Sequence, residues 1–175
     1  RAFMTAHPGK KLLFMGCEFG QWQEWREQHS LDWHLLEQPE HRALLDLNRD
    51  LNHLYLENPV LHASDTDPAG FAWIDLHNGD QSVFAFLRRS PLHPGRPPLL
   101  CVFNCTPVPR EAYWLGVPEA GTYRKVLDTD AARFGGSGFN QQERVVTQLA
   151  PCQGYPCHIR LDLPPLGALF FELAA

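Results

Sequence analysis

Apolar positions follow a helical period up to about residue 60 and alternate beyond it. Leu44, Leu47, Leu51 and Leu54 recur at i, i+3, i+7 and i+10, which puts them on one helix face, while Arg42, Asp46, Arg49 and Asp50 fall elsewhere. This spacing predicts a helix over 40–56, with Pro39 near its start and Asn58-Pro59 behind it as boundary signals. Such a helix must bury its leucines against something, and the short upstream segment is too small to supply a core alone. Ahead of it, the apolar run Leu12–Met15 reads as a buried strand, followed by an aromatic and acidic loop from Gly16 to Leu31.

Downstream, short runs rich in aromatic and β-branched residues predict strands at Phe71–Leu76, Ser82–Arg88, Leu99–Asn104 and Tyr113–Val117. Four more follow at Tyr123–Asp128, Arg144–Thr147, His158–Leu163 and Ala168–Leu173. Turn signals separate them, among them Asn78-Gly79-Asp80, Pro94-Gly95 and Pro164-Pro165. Alternation is plain where Ile159, Leu161 and Leu163 interleave with His158, Arg160 and Asp162. Trp73 alternates with Phe71, so it is expected in the core. Eight strands at roughly ten-residue spacing indicate an antiparallel β-sandwich. The fold class is therefore mostly β, with an α/β unit (1–60) ahead of an all-β domain (61–175).

Composition narrows the function. The 175 residues carry 15 basic and 20 acidic side chains, net charge −5, with no long run of either sign. That balance argues against nucleic-acid or membrane partners. No apolar stretch is long enough to span a bilayer, and the first residues lack the order of a signal peptide, so a soluble, cytoplasmic protein is expected. The chain opens on Arg1, and an apolar run follows almost at once without a helix cap, as in the C-terminal part of a longer protein. Five cysteines, an odd number, read as free thiols. Cys101 and Cys105 lie roughly 13 Å apart if the strand continues between them, too far for one tetrahedral ion, so no metal site is expected.

The densest chemistry lies in Met15–Trp25. Gly16 and Gly20 allow sharp turns, Trp22 and Trp25 offer flat apolar faces, and Glu18, Gln21, Gln23 and Glu24 offer hydrogen-bonding edges. Aromatic faces beside amides and carboxylates suit a sugar, with its apolar ring faces and hydroxyl rim. Glu18 and Glu24 form a carboxylate pair only on paper, because a glycine-containing loop fixes no separation between them. Ser30, Asp32 and His34 lie too close in sequence to face one another as a triad. Asp32-Trp33 reads as a turn entering a helix, and Gly135-Gly136-Ser137-Gly138 as a mobile connection.

These motifs resemble a known family. Ala6–Gly16, Glu18-Phe19-Gly20-Gln21, Glu24-Trp25 and Ser30-Leu31-Asp32-Trp33-His34-Leu35-Leu36 are similar to the end of the catalytic barrel in bacterial 1,4-alpha-glucan (glycogen) branching enzymes of the alpha-amylase superfamily. The likeness continues through Arg49–Asn52, Gly70–Asp75, Ser82–Arg88, Asn104–Arg110, Gly135–Gly138 and Leu163–Ala168. It implies the last strand, loop and helix of a (β/α)8 barrel followed by the superfamily's C-terminal all-β domain. It further implies transfer of α-1,4-glucan segments to glucose 6-hydroxyls, with glycogen or amylose and the chain's own catalytic barrel as partners and no cofactor. The three catalytic carboxylates follow earlier barrel strands in that family, so no catalytic residue is assigned here. Glu18, Phe19, Gln21, Trp22 and Trp25 become candidates for lining the glucan cleft, several by shaping the loop. A non-catalytic starch- or glycogen-binding sandwich, with Trp73 and Trp114 as its platform, and a purely structural domain are the alternatives.

Overall fold

The computed structural model describes residues 1–174. Every predicted strand downstream of residue 60 is present. They are β1 (Phe71–Asp75), β2 (Val83–Arg88), β3 (Leu99–Asn104), β4 (Arg110–Val117), β5 (Thr122–Asp128), β6 (Arg144–Val146), β7 (Cys157–Leu163) and β8 (Ala168–Leu173). A six-stranded sheet in the order β1-β2-β3-β8-β5-β6 packs on a two-stranded sheet, β4-β7, and all pairings are antiparallel. The chain leaves the large sheet after β3 to form β4, returns for β5 and β6, crosses again for β7, and ends with β8 inserted between β3 and β5.

Residues facing between the sheets form one core. Val83, Ala85 and Leu87 of β2, Leu100 and Val102 of β3, and Leu169 and Phe171 of β8 meet Leu115, Ile159 and Leu161 of the small sheet. The alternate residues of the same strands are also buried. Phe86, Leu99, Cys101, Phe103 and Phe170 form a second core on the opposite face of the large sheet. A strand buried on both faces reads as a continuous apolar run, which is the pattern of Leu99–Phe103.

The cover of that second face is the helical segment. α2 (Pro39–Glu57) agrees with the predicted helix within a residue at each end, and Pro39 occupies its first turn, where a missing N–H costs nothing. Leu51 is fully buried against the large sheet, with Leu47, Leu54 and Tyr55 packed beside it. Burying one such leucine is worth about 1.5–3 kcal/mol. A five-residue helix, α1 (Ala2–Ala6), adds Ala2 and Ala6 to the same core. The segments on either side of residue 60 thus share one core, and the sandwich acquires a third, helical layer.

Arg88, at the end of β2, ties these layers together. Its side chain is wholly buried; it ion-pairs with Asp65 and donates to the carbonyls of Ala6 at 2.6 Å and Gly70 at 3.3 Å.

Three expectations need correction. Leu12–Met15 forms no strand: Leu12, Phe14 and Met15 are exposed, because a buried strand needs a neighbouring strand to complete its ladder and none of the described strands lies beside it. The 135–138 loop is pinned instead of mobile. The Asp130 carboxylate accepts from Ser137 N, Ser137 Oγ and Phe139 N, and Gly138 N donates to the Asp130 carbonyl. A Cβ at Gly136 would stand 2.2 Å from that carbonyl oxygen, so only glycine fits there. Trp73 is not core. It retains 39% exposure, with a tilted contact to the His7 ring and T-shaped contacts to Phe71 and Phe86.

A polar network ties β1 to the small sheet. Tyr113 Oη donates to Asp75 at 2.7 Å, while Asn78 Nδ2 donates to Tyr113 Oη and Gln153 Nε2 to Asp75. Burial first, then the hydrogen bond to Asp75, pushes the Tyr113 phenol far above its ordinary range. Burial pushes Tyr123 up to about 12. A phenol whose folded pKa exceeds its unfolded value contributes stability that is complete below pH 10 and is lost as pH rises through the folded pKa. Spectrophotometric titration at alkaline pH is therefore expected to show these two phenols ionising late and together with unfolding. Reversible ionisation of both near pH 10, with the fold intact, would contradict this.

Candidate functional site

The candidate loop is built from two tight turns set against α2. Cys17 N donates to Phe14 O, Gly20 N to Cys17 O, and Gln21 N to Gly16 O. Gly16 and Gly20 sit at φ +81° and +71°, the left-handed region that glycine adopts without a steric cost. Gly20 also lies so close to α2 that a Cβ would stand 2.9 Å from Leu44 Cδ2. Beyond Gln21 the chain swings out and returns at Asp32 into a 3₁₀ turn over Trp33–Glu37, the expected turn entering a helix.

The five sequence candidates divide by role. Phe19 is fully buried, its ring 5.1 Å from that of Trp33, so its side chain anchors the loop. Gln21 is a clamp: its Oε1 accepts from Asp32 N at 2.9 Å and its Nε2 donates to Gln23 O at 2.7 Å, joining the two limbs of the loop. Glu18 is half-buried and its carbonyl is held by Asn48 at 2.7 Å. Trp22 is 73% exposed and forms a T-shaped pair with the His41 ring, and Trp25 is 37% exposed and forms one with Phe14. A cleft of about 290 Å³ opens between the limbs, lined by Gln21, Gln23, Glu24, Trp25, His29 and Asp32 among others. Amides, two carboxylates and an indole thus meet on one concave surface, the chemistry of a sugar-contacting edge.

Sequence reasoning missed His41 and Asn48, which hold this loop from α2. The signal was available: both are polar residues on the face that carries Leu44 and Leu51, and a polar group on an apolar face needs a partner. On the sandwich, Trp114 is 49% exposed, but its ring is stacked on His158 at 4.5 Å and carries the Arg160 guanidinium at 4.9 Å. Much of its π-surface is already engaged. The five cysteines stand as free thiols, and among the described residues no three His, Cys, Asp or Glu side chains converge as a metal site would require. No helix among the described residues is long and apolar enough to cross a membrane.

Sheet order, the two-sided core and the crossovers define the class: an all-β domain of antiparallel sandwich type. Residues 73–174 match the family described as alpha amylase, C-terminal all-beta domain, and the chain belongs to that family. It is 49% identical over 171 residues to the 1,4-alpha-glucan branching enzyme GlgB of Thiobacillus denitrificans. It is also 49% identical over 173 residues to that of Pseudomonas aeruginosa and 50% identical over 171 residues to that of Roseobacter denitrificans. These matches cover 98–99% of this chain but 23% of each relative, so the chain spans about a quarter of their length. A pullulanase from Anoxybacillus sp. LM18-11, solved with maltotriose, superposes over 99% of this chain and 22% of its own with a TM-score of 0.59 at 13% identity. That similarity speaks to the fold alone.

Proposed function

We propose that this chain is the C-terminal part of a 1,4-alpha-glucan branching enzyme. The observation that carries the reading is near-half identity sustained over nearly the whole chain to branching enzymes four times its length. In this reading, residues 1–60 close the catalytic barrel and 61–175 form the C-terminal domain of a cytoplasmic protein. The parent enzyme cleaves an α-1,4 bond, holds the released segment as a covalent glycosyl-enzyme on a carboxylate, and passes it to a glucose 6-hydroxyl. The carboxylates for those steps belong to the barrel, outside this chain.

Within that enzyme, the Glu18–Trp25 loop borders the glucan cleft. Trp22 and Trp25 offer apolar faces to sugar rings and Glu18 offers a hydrogen-bonding edge, while Phe19 and Gln21 hold the loop in shape. The sandwich acts mainly as a structural layer, its large sheet covering the leucine face of α2. Glycogen or amylose is the partner, and no cofactor, metal, nucleic acid or membrane enters the scheme.

The reading predicts that the isolated chain is inert toward amylose, leaving the iodine-complex absorbance unchanged, while the longer protein that carries this sequence lowers it. Branching by the isolated chain would overturn the assignment of the catalytic carboxylates to the barrel.

A further inference from the structure

Two buried polar side chains on the leucine face of α2 converge on the candidate loop. His41 and Asn48 stand seven residues apart beside Leu44 and Leu51, at 7% and 4% exposure. Polar groups so placed are costly unless satisfied. Both direct their donors at one turn of the loop. His41 Nδ1 lies 2.8 Å from the Phe19 carbonyl oxygen, and Asn48 Nδ2 lies 2.7 Å from the Glu18 carbonyl oxygen and 3.0 Å from that of Leu44. A carbonyl only accepts, so the hydrogen bond fixes a proton on His41 Nδ1. Between the two, Leu44 fits against Gly20, which has no side chain to keep it away. Trp22 then packs edge-to-face with the His41 ring, with centroids 5.1 Å apart at 69°, while the indole remains mostly in solvent. Helix-to-loop packing alone is satisfied by leucines. Gripping two consecutive carbonyls fixes the orientation of the turn and, through His41, the seat of an outward-facing indole.

We propose that His41 and Asn48 are positioning residues for glucan: without touching sugar, they hold the Glu18–Trp22 turn so that the Trp22 indole is pre-set for an α-glucan chain. This rests on the reading of the loop as a glucan contact. Pre-setting a contact side chain lowers the ordering cost of binding, so losing it should weaken affinity more than turnover.

The test uses the longer protein that carries this sequence, with amylose as substrate. His41→Phe keeps the buried ring and removes the donor, whereas His41→Asn supplies a donor near the same place. His41→Phe is expected to raise KM about fivefold or more with kcat within about twofold, and His41→Asn to recover most of the loss. Asn48→Ala gives the same readout at the second anchor should His41→Phe not fold. Trp22→Ala separates the two claims. A raised KM for Trp22→Ala with unchanged KM for His41→Phe and Asn48→Ala overturns the positioning role alone. An unchanged KM for Trp22→Ala overturns the glucan contact and the positioning role with it.

Discussion

Arg88→Ala is expected to lower the unfolding free energy of the chain by about 3–5 kcal/mol, the range seen when one partner of a buried ion pair is removed. The guanidinium is buried in full, and it satisfies the Asp65 carboxylate and the carbonyls of Ala6 and Gly70 at once. Alanine leaves all three without that partner and opens a cavity where α1, the 62–70 connection and β2 meet. Lysine restores the charge but not the planar fork that reaches several acceptors, so Arg88→Lys should recover only part of the loss. Adding Asp65→Asn to Arg88→Ala should also recover part, because the carboxylate then no longer stands without a counter-charge. Urea denaturation followed by circular dichroism measures each step. A midpoint for Arg88→Ala within the scatter of surface substitutions would show that Arg88 does not tie the layers together.

Phe86→Ala is expected to cost a similar amount, about 3–5 kcal/mol. Its ring is fully buried on the helical side of the large sheet, with ring centroids of Phe71 at 5.1 Å, Phe103 at 5.5 Å and Trp73 at 5.6 Å. Phe3 of α1 stands edge-on to it at 6.3 Å. Removing the ring deletes aromatic contacts at the centre of the second core, where strands on one side and α1 on the other limit collapse into the space. The same urea series reports the loss. A cost below about 1 kcal/mol would mean that this face is not a packed core.

The sandwich is legible in the sequence because its signals are local. Seven of the eight strands alternate or run apolar for five to eight residues between turn-forming residues, β6 for three, and α2 shows its period and its proline. Features that depend on distant partners are less legible. Leu12–Met15 has the composition of a buried strand, but a ladder requires another strand beside it. α1 has five residues and no side-chain cap, too little for a periodicity to register. The burial of Leu99–Phe103 on both faces implied a covering layer that alternation elsewhere had masked. Trp73 follows the alternation of β1, yet it sits on the helical side of the sheet, where Phe3 of α1 packs on Phe86 and, from that segment, Trp73 meets only the His7 ring beyond the helix end. In the candidate loop, residue types suggested sugar chemistry, but only coordinates separate the buried anchor Phe19 and the clamp Gln21 from the outward Trp22 and Trp25. His41 and Asn48 were visible as polar interruptions of a leucine face, and the carbonyls they hold lie 22 and 30 residues away.

The proposed function is that this chain completes a branching enzyme whose catalytic groups lie elsewhere in the longer protein. Amylose incubated with the longer protein that bears this sequence, and in parallel with the isolated chain, tests it most directly when proton magnetic resonance reads the anomeric signals of α-1,4 and α-1,6 linkages. The expected result is growth of the α-1,6 signal at the expense of α-1,4 with the longer protein and an unchanged spectrum with the isolated chain. New α-1,6 linkages made by the isolated chain, or loss of α-1,4 linkages without any α-1,6 gain by the longer protein, would contradict it.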